Sequence, residues 1–328
     1  MRKAFSQHRR LDCHGVLGVQ LNLECRDEII PILRAVQHIY GQPKLRDEIL
    51  DLISDDVNQD ARDDVGREGM DYWQILVLAA VRLGCNLDYD KLQDLAEQHR
   101  SLRHIMGLGD WSEEANFGWR RIRDNVCLLK PTTIEKISHL IVAEGHRLQP
   151  EAAKQTRADS FVAETNIHWP AESTLIRDGV RKIIEMCVLI ASTMKSGGWR
   201  QTRLNDAIEE ASFDRGFHTP ENQRQLAEII PTCCLPKPGS KQSKEQEQGA
   251  TIAFRQAHQR HAGVESAIGA LQAGNGLERS RDRTELGFER YVALGILGRN
   301  FHVLGKLIIA REVDSCEAAR SKRKELAA

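Results

Sequence analysis

The sequence has no uninterrupted hydrophobic run long enough to span a lipid bilayer. Its longest apolar run, Ile75 to Val81, ends at Arg82, whereas a transmembrane helix needs about 20 predominantly apolar residues. No apolar segment follows the basic residues of the first ten positions, so a secretory signal peptide is not expected. These absences predict a cytoplasmic protein.

The chain also lacks a net charge of either sign, because 46 Lys and Arg residues face 47 Asp and Glu residues. Total charge therefore gives no indication about a nucleic-acid partner, and only local clusters of charge can. The eight cysteines contain no CxxC pair, so the usual spacing of a structural zinc site is missing. We expect reduced, mostly buried thiols.

What the chain does contain is the composition of a folded protein of two domains or one large one. Its 328 residues are 41% hydrophobic and 28% charged, which is close to the average for globular proteins. Apolar residues recur at helical spacing from Arg26 to His146. We therefore predict a helical N-terminal region over residues 1–150, with a possible role in binding DNA.

The pattern changes after Gln149, where alternating residues predict a strand and hence a second domain. Predicted strands cover residues 156–165, 211–213 and 233–235, and predicted helices cover residues 173–194, 219–230, 250–272 and 286–309. The residues after Arg311 form a charged tail, 312–328, that we expect to be frayed. The sequence thus predicts an α/β protein that is helix-dominated overall.

Three acidic residues stand out by position. Asp159 lies inside a predicted strand, Asp214 lies at a strand end before a glycine turn, and Glu265 lies on a helix at the edge of its buried face. A carboxylate buried in a strand costs several kcal/mol unless a metal or donor compensates for it. Three converging carboxylates could hold two Mg²⁺ ions. The alternative is that these are ordinary surface or capping acids.

Four blocks of the chain resemble bacterial insertion-sequence transposases of the DDE class, most closely the ISNCY-like group. The catalytic-domain blocks are RADSFVAETNIHWPAESTLIRDGVR at 157–181, ASFDRGFHTPENQRQLAEIIPTCCLPKPG at 211–239 and HQRHAGVESAIGALQAGNGLERSRDRTELGFERYVALGILGRNFHVLG at 258–305. The stretch GMDYWQILVLAAVRLGCNLDYDKLQDLAEQHRSLRHIMG at 69–107 is similar to the helical N-terminal region of these proteins. The blocks follow the family's order and cover most of the chain.

The resemblance implies an RNase H-like catalytic domain over residues 156–311. In such a domain Asp159, Asp214 and Glu265 would be the catalytic, metal-binding residues, with Asp159 on the first strand. Two Mg²⁺ ions, which Mn²⁺ can replace, would serve DNA cleavage and strand transfer. The partners implied are double-stranded DNA at the element ends, target DNA and further copies of the chain.

The chain departs from the family between its two aspartates, which 54 residues separate. The family has a longer stretch here, containing further strands that cover the sheet edge beside the first strand. The catalytic domain is thus shortened between residues 200 and 211, which predicts an incomplete RNase H-like domain. Two functions follow as alternatives: an active transposase, or an internally deleted, inactive remnant that binds DNA or oligomerises.

Local clusters of arginine indicate where DNA would be held. Residues 251–311 contain nine Lys or Arg against five acids, and another cluster follows Trp119. The candidate DNA-contacting residues are Arg120, Arg121, Arg123, Arg255, Arg260, Arg279, Arg281 and Arg283. His261 and Glu265, four residues apart, could instead bind a transition metal, and Trp169 is more typical of packing than of base stacking.

Overall fold

A computed structural model of the protein describes residues 4–5, 13–58, 69–110, 117–165, 209–237, 251–261 and 263–327. Helices dominate these residues, which confirms the prediction of a helix-dominated chain. The chain divides into two compact units. One comprises Met1–Gly145 and Ala270–Ala328, and the other comprises His146–Gly269.

The secondary structure elements follow one another as a long helical series interrupted by a small sheet. In chain order they are α1 (Ile29–Tyr40), α2 (Pro43–Val57), α3 (Tyr72–Gly84), α4 (Tyr89–Gln98), α5 (Arg100–Ile105), α6 (Trp119–Val126), α7 (Pro131–Leu148), β1 (Gln155–Ala158), β2 (Glu210–Phe213), α8 (Pro220–Ile229), β3 (Thr232–Cys234), α9 (Ile252–His261), α10 (Gly263–Gly269) and α11 (Glu285–Ala327).

The first unit is built around α3 and α11. Helix α3 begins with a capping box between Asp71 and Gln74 and is buried on every side, as expected for a helix that is apolar all round. Helix α11 packs against both α1 and α3. Glycines allow these backbones to approach, because a side chain at Gly305 would collide with the carbonyl oxygen of Pro31.

Helix α11 differs from its prediction at both the domain and the element level. Residues 270–311, predicted to belong with the catalytic domain, pack in the unit that contains the N-terminal helices. The expected fraying after Arg311 is wrong, because α11 continues to Ala327. Within the described part of the chain, Glu285–Ser315 is long and apolar enough to cross a membrane, a test that the core helix of a folded domain also passes.

The second unit contains a parallel sheet of three strands in the order β1-β2-β3. Helix α8 connects β2 to β3, and the hydroxyl of Thr219 caps it by accepting a hydrogen bond from the Asn222 amide at 3.0 Å. Helix α9 packs on β2 and β3. The strands predicted at 211–213 and 233–235 and the helix predicted at 219–230 are therefore present, with ends shifted by about one residue.

Two other predicted elements differ from the structure. The strand predicted over 156–165 ends at Ala158 because its partner strand ends at the paired residue Phe213. The helix predicted over 250–272 is divided into α9, α10 and a π-helical turn at Ala270–Gly274. The helix predicted over 173–194, Trp169 and the shortened stretch between 200 and 208 lie outside the described residues.

Candidate functional site

Asp159 and Asp214 occupy equivalent positions at one edge of the sheet. Ala158 and Phe213 are register partners on the neighbouring parallel strands β1 and β2, and each aspartate is the next residue along its strand. Because parallel strands end at the same edge of a sheet, the two residues follow their strands side by side. Ligands commonly bind at this carboxyl edge in α/β folds.

Both aspartates are exposed, and their local structure is that of strand-to-turn junctions. A carboxylate oxygen of Asp159 accepts a hydrogen bond from the Ser160 amide at 2.7 Å. The backbone carbonyl of Asp214 accepts one from the Phe217 amide at 3.1 Å, which begins a short 3-10 turn. The prediction that Asp159 lies inside a strand is wrong, and its exposure removes the cost of burial expected there.

Glu265 lies in the first turn of α10 and is exposed. The sequence predicted a position at the edge of a buried face, but of the apolar stripe that defined this face only Val264 is buried, while Ile268 and Leu271 are half-buried. The helix is therefore less deeply packed than the pattern predicted, and its acid faces water.

Two polar contacts attach the end of α9, one turn before Glu265, to the strand that ends at Asp214. Arg260 forms an ion pair with Glu210. A ring nitrogen of His261 lies 3.1 Å from the hydroxyl of Ser212, which is buried and so needs a hydrogen-bond partner. The sequence analysis missed Glu210 and Ser212, although their spacing of two residues places them on one side of β2.

The two aspartates suit a magnesium ion by their chemistry, since Mg²⁺ prefers carboxylate oxygens and is often held by one or two of them together with substrate phosphates. Within the described ranges, no group of three or more His, Cys, Asp or Glu side chains is close enough to hold a metal ion. The structure thus brings Asp159 and Asp214 to one edge without joining Glu265 to them. The pair His261 and Glu265 forms no such group either, and His261 contacts Ser212.

The candidate arginines of α6 form an exposed basic surface. Ile122 and Val126 bury the opposite side of the helix, while the arginines at positions 120, 121 and 123 are exposed. The guanidinium carbons of Arg120 and Arg123 lie 5.0 and 5.3 Å from the centre of the Trp119 ring, within the range of cation–π contacts. Arg123 also pairs with Asp124 at 2.8 Å. A surface of this kind can contact phosphates.

The other candidate arginines differ in how far they are committed to the protein itself. Arg255, Arg279 and Arg283 are exposed. Arg260 is engaged by Glu210, and Arg281 donates to the backbone carbonyl of Asn86 at 3.3 Å. Arg255 and Arg260 belong to the second unit and the remaining six to the first.

No protein-family model, curated protein or solved structure matches this chain.

Proposed function

We propose that the chain is an insertion-sequence transposase of the DDE class, which binds the ends of its element and carries out metal-dependent DNA cleavage and strand transfer. The observation that carries the proposal is the register of β1 and β2, which makes Asp159 and Asp214 neighbours at the carboxyl edge of a parallel sheet. An RNase H-like domain of the kind proposed requires its first two acids in this relation.

The surroundings of the aspartates support the same proposal. Three parallel strands, the crossover helix α8 and the helix α9 packed on β2 and β3 would form the part of an RNase H-like domain that carries the acids. The anchoring of α9 on β2 through Arg260 and His261 fixes the start of the segment that leads to Glu265. Glu265 would supply the third carboxylate.

In the proposed reaction the protein's own groups bind metal and DNA. Asp159, Asp214 and Glu265 would hold two Mg²⁺ ions, which when bound make water, and later a freed 3′-hydroxyl, into nucleophiles toward a phosphodiester. The exposed arginines of α6 would neutralise phosphates and position the duplex. Positioning accounts for much of the catalysis in phosphoryl transfer, so no covalent link to the protein is needed.

A second candidate function is that of an inactive remnant that binds DNA without cutting it. The observation that favours it is the absence, within the described residues, of a three-carboxylate group able to hold a metal ion. The short separation of Asp159 and Asp214 along the chain points in the same direction. The basic surface of α6 does not depend on either feature.

Cleavage of a labelled duplex taken from the DNA that flanks the coding sequence tests the proposal. We expect nicks with Mg²⁺ and none with a chelator, and a loss of at least about 100-fold in Asp159→Asn and Glu265→Gln. Glu228→Gln is the matched control, because Glu228 is an exposed acid of the same unit that pairs with Arg224 on α8. It should nick like the unmodified protein.

The same reactions, analysed by gel shift, separate the two candidate functions. Nicking that disappears in both variants while the duplex is still retained supports the transposase. Retention without nicking in the unmodified protein supports the remnant, and nicking that survives both substitutions contradicts the assignment of the acids.

A further inference from the structure

Helix α11 has one face in the core of its unit and extends beyond that core. The buried face consists of Tyr291, Leu294, Leu297, Phe301, Leu304 and Ile308. Past Ile308 none of the α11 side chains that the structure describes is buried, yet the helix continues to Ala327. Helical segments of this length are marginal in water without packing, so a partner for the exposed part would stabilise it.

The opposite face of α11 carries a row of residues that we name the outer stripe. Its members recur at alternating spacings of four and three residues: Val292, Ile296, Arg299, Val303, Lys306, Ala310 and Val313. Ile296, Val303 and Val313 are 41%, 50% and 44% exposed, which is high for large apolar side chains. This spacing is the one by which helices pair in coiled coils.

The outer stripe changes charge along its length. Arg299 and Lys306 lie on it in the first part, whereas Asp314 borders it and Glu317 occupies its next position in the last part. Asp314 and Glu317 are exposed, as is Lys306, and Arg299 is half-buried. The stripe is therefore basic toward one end and acidic toward the other, with apolar residues between.

We propose that the outer stripe is the docking surface for a second copy of this chain, paired antiparallel about a two-fold axis near Ile308. In this arrangement Arg299 of one copy lies beside Glu317 of the other, and Val303 lies beside Val313. A parallel pair would instead place Arg299 and Lys306 beside their own counterparts, where like charges repel. The antiparallel pair is closed and uses the same surface on both copies.

This surface goes beyond the proposed function, because the pairing requires neither the carboxylates nor DNA. The stripe from Val292 to Glu317 is about 38 Å long at 1.5 Å per residue. Its apolar residues account for association and its charges for direction, since complementary charges select the orientation of paired helices. Its failure would leave the cleavage experiment unaffected.

Sedimentation of the full chain at micromolar concentration, without DNA, tests the proposal. We expect a dimer whose dissociation constant rises about tenfold or more in Val303→Asp, in Arg299→Glu and in Glu317→Arg, because two-fold symmetry makes each change act twice. The double variant Arg299→Glu with Glu317→Arg restores opposite charges across the axis and should recover most of the affinity. Circular dichroism establishes that each variant remains folded.

Two substitutions on α7 serve as matched controls. Val142→Asp changes an apolar residue of comparable exposure, 38%, and Lys136→Glu reverses an exposed charge. Both should leave the dimer unchanged. A monomer in the unmodified protein, or a dimer that is insensitive to the three single variants, overturns the proposal. So does a failure of the double variant to recover, which would exclude the antiparallel register.

Discussion

His302 lies on α11 with its ring almost excluded from water. This burial, together with the positive charges of Lys306 and Arg299, lowers the pKa of His302 from 6.5 to about 4. In the folded protein the ring therefore remains neutral at pH values where the unfolded chain already binds a proton.

Folding stability should consequently fall as the pH decreases from 6.5 toward 4. In this window the unfolded state binds more protons at His302 than the folded state, so the free energy of unfolding rises with pH. We expect His302→Gln to remove this contribution, which amounts to at most about 1.4 kcal/mol per pH unit. Urea unfolding of both proteins across the window measures it, and parallel pH profiles would contradict the account.

Arg82 illustrates what a sequence can and cannot predict for one residue. The sequence places it at the end of the longest apolar run, which suggests a residue that reaches water. In the structure it is 2% exposed, its guanidinium carbon lies 3.9 Å from the centre of the Tyr89 ring, and it pairs with Asp282 at 2.7 Å. Asp282 is 200 residues away, and no local periodicity can identify so distant a partner.

At the scale of elements, the predictions that succeeded depend on local signals. The helix predicted over 132–147 is α7, and the Thr219-Pro220 pair correctly predicts where α8 begins. The predictions that failed depend on tertiary partners. The first strand ends where β2 ends, and the charged end of α11 is helical although its composition predicted fraying.

The packing of α11 on its neighbours depends on the absence of side chains at particular glycines. An added methyl group at Gly305 would collide with the backbone of Pro31 in α1. We expect Gly305→Ala to destabilise the protein by about 1–3 kcal/mol or more, as overpacking does elsewhere. The change is measured as the free energy of unfolding in urea.

Gly145 is the matched control for this substitution, because it lies within α7 and an added methyl group would meet open space. Gly145→Ala should stabilise the protein by about 0.5–1 kcal/mol, the usual gain from replacing glycine inside a helix. If both alanine variants changed stability equally, close packing at Gly305 would not be the reason for its glycine.

At the scale of the whole molecule, residues 270–311 were the hardest to assign. Sequence resemblance groups them with the acids, whereas their apolar face packs against α1 and α3. That association joins residues separated by most of the chain, so periodicity alone predicts a helix and not its partner. Asp159 and Asp214 could be selected from residue type and resemblance, but their side-by-side relation depends on strand register.

The measurement that tests the account most directly is a calorimetric titration of the full chain with Mn²⁺ in place of Mg²⁺. If Asp159 and Asp214 share an ion at the sheet edge, Asp159→Asn and Asp214→Asn should each weaken binding about tenfold or more, and the double variant should bind little worse than either. Glu228→Gln should bind like the unmodified protein. An unmodified protein that binds no Mn²⁺, or binding that survives both substitutions, would contradict the account.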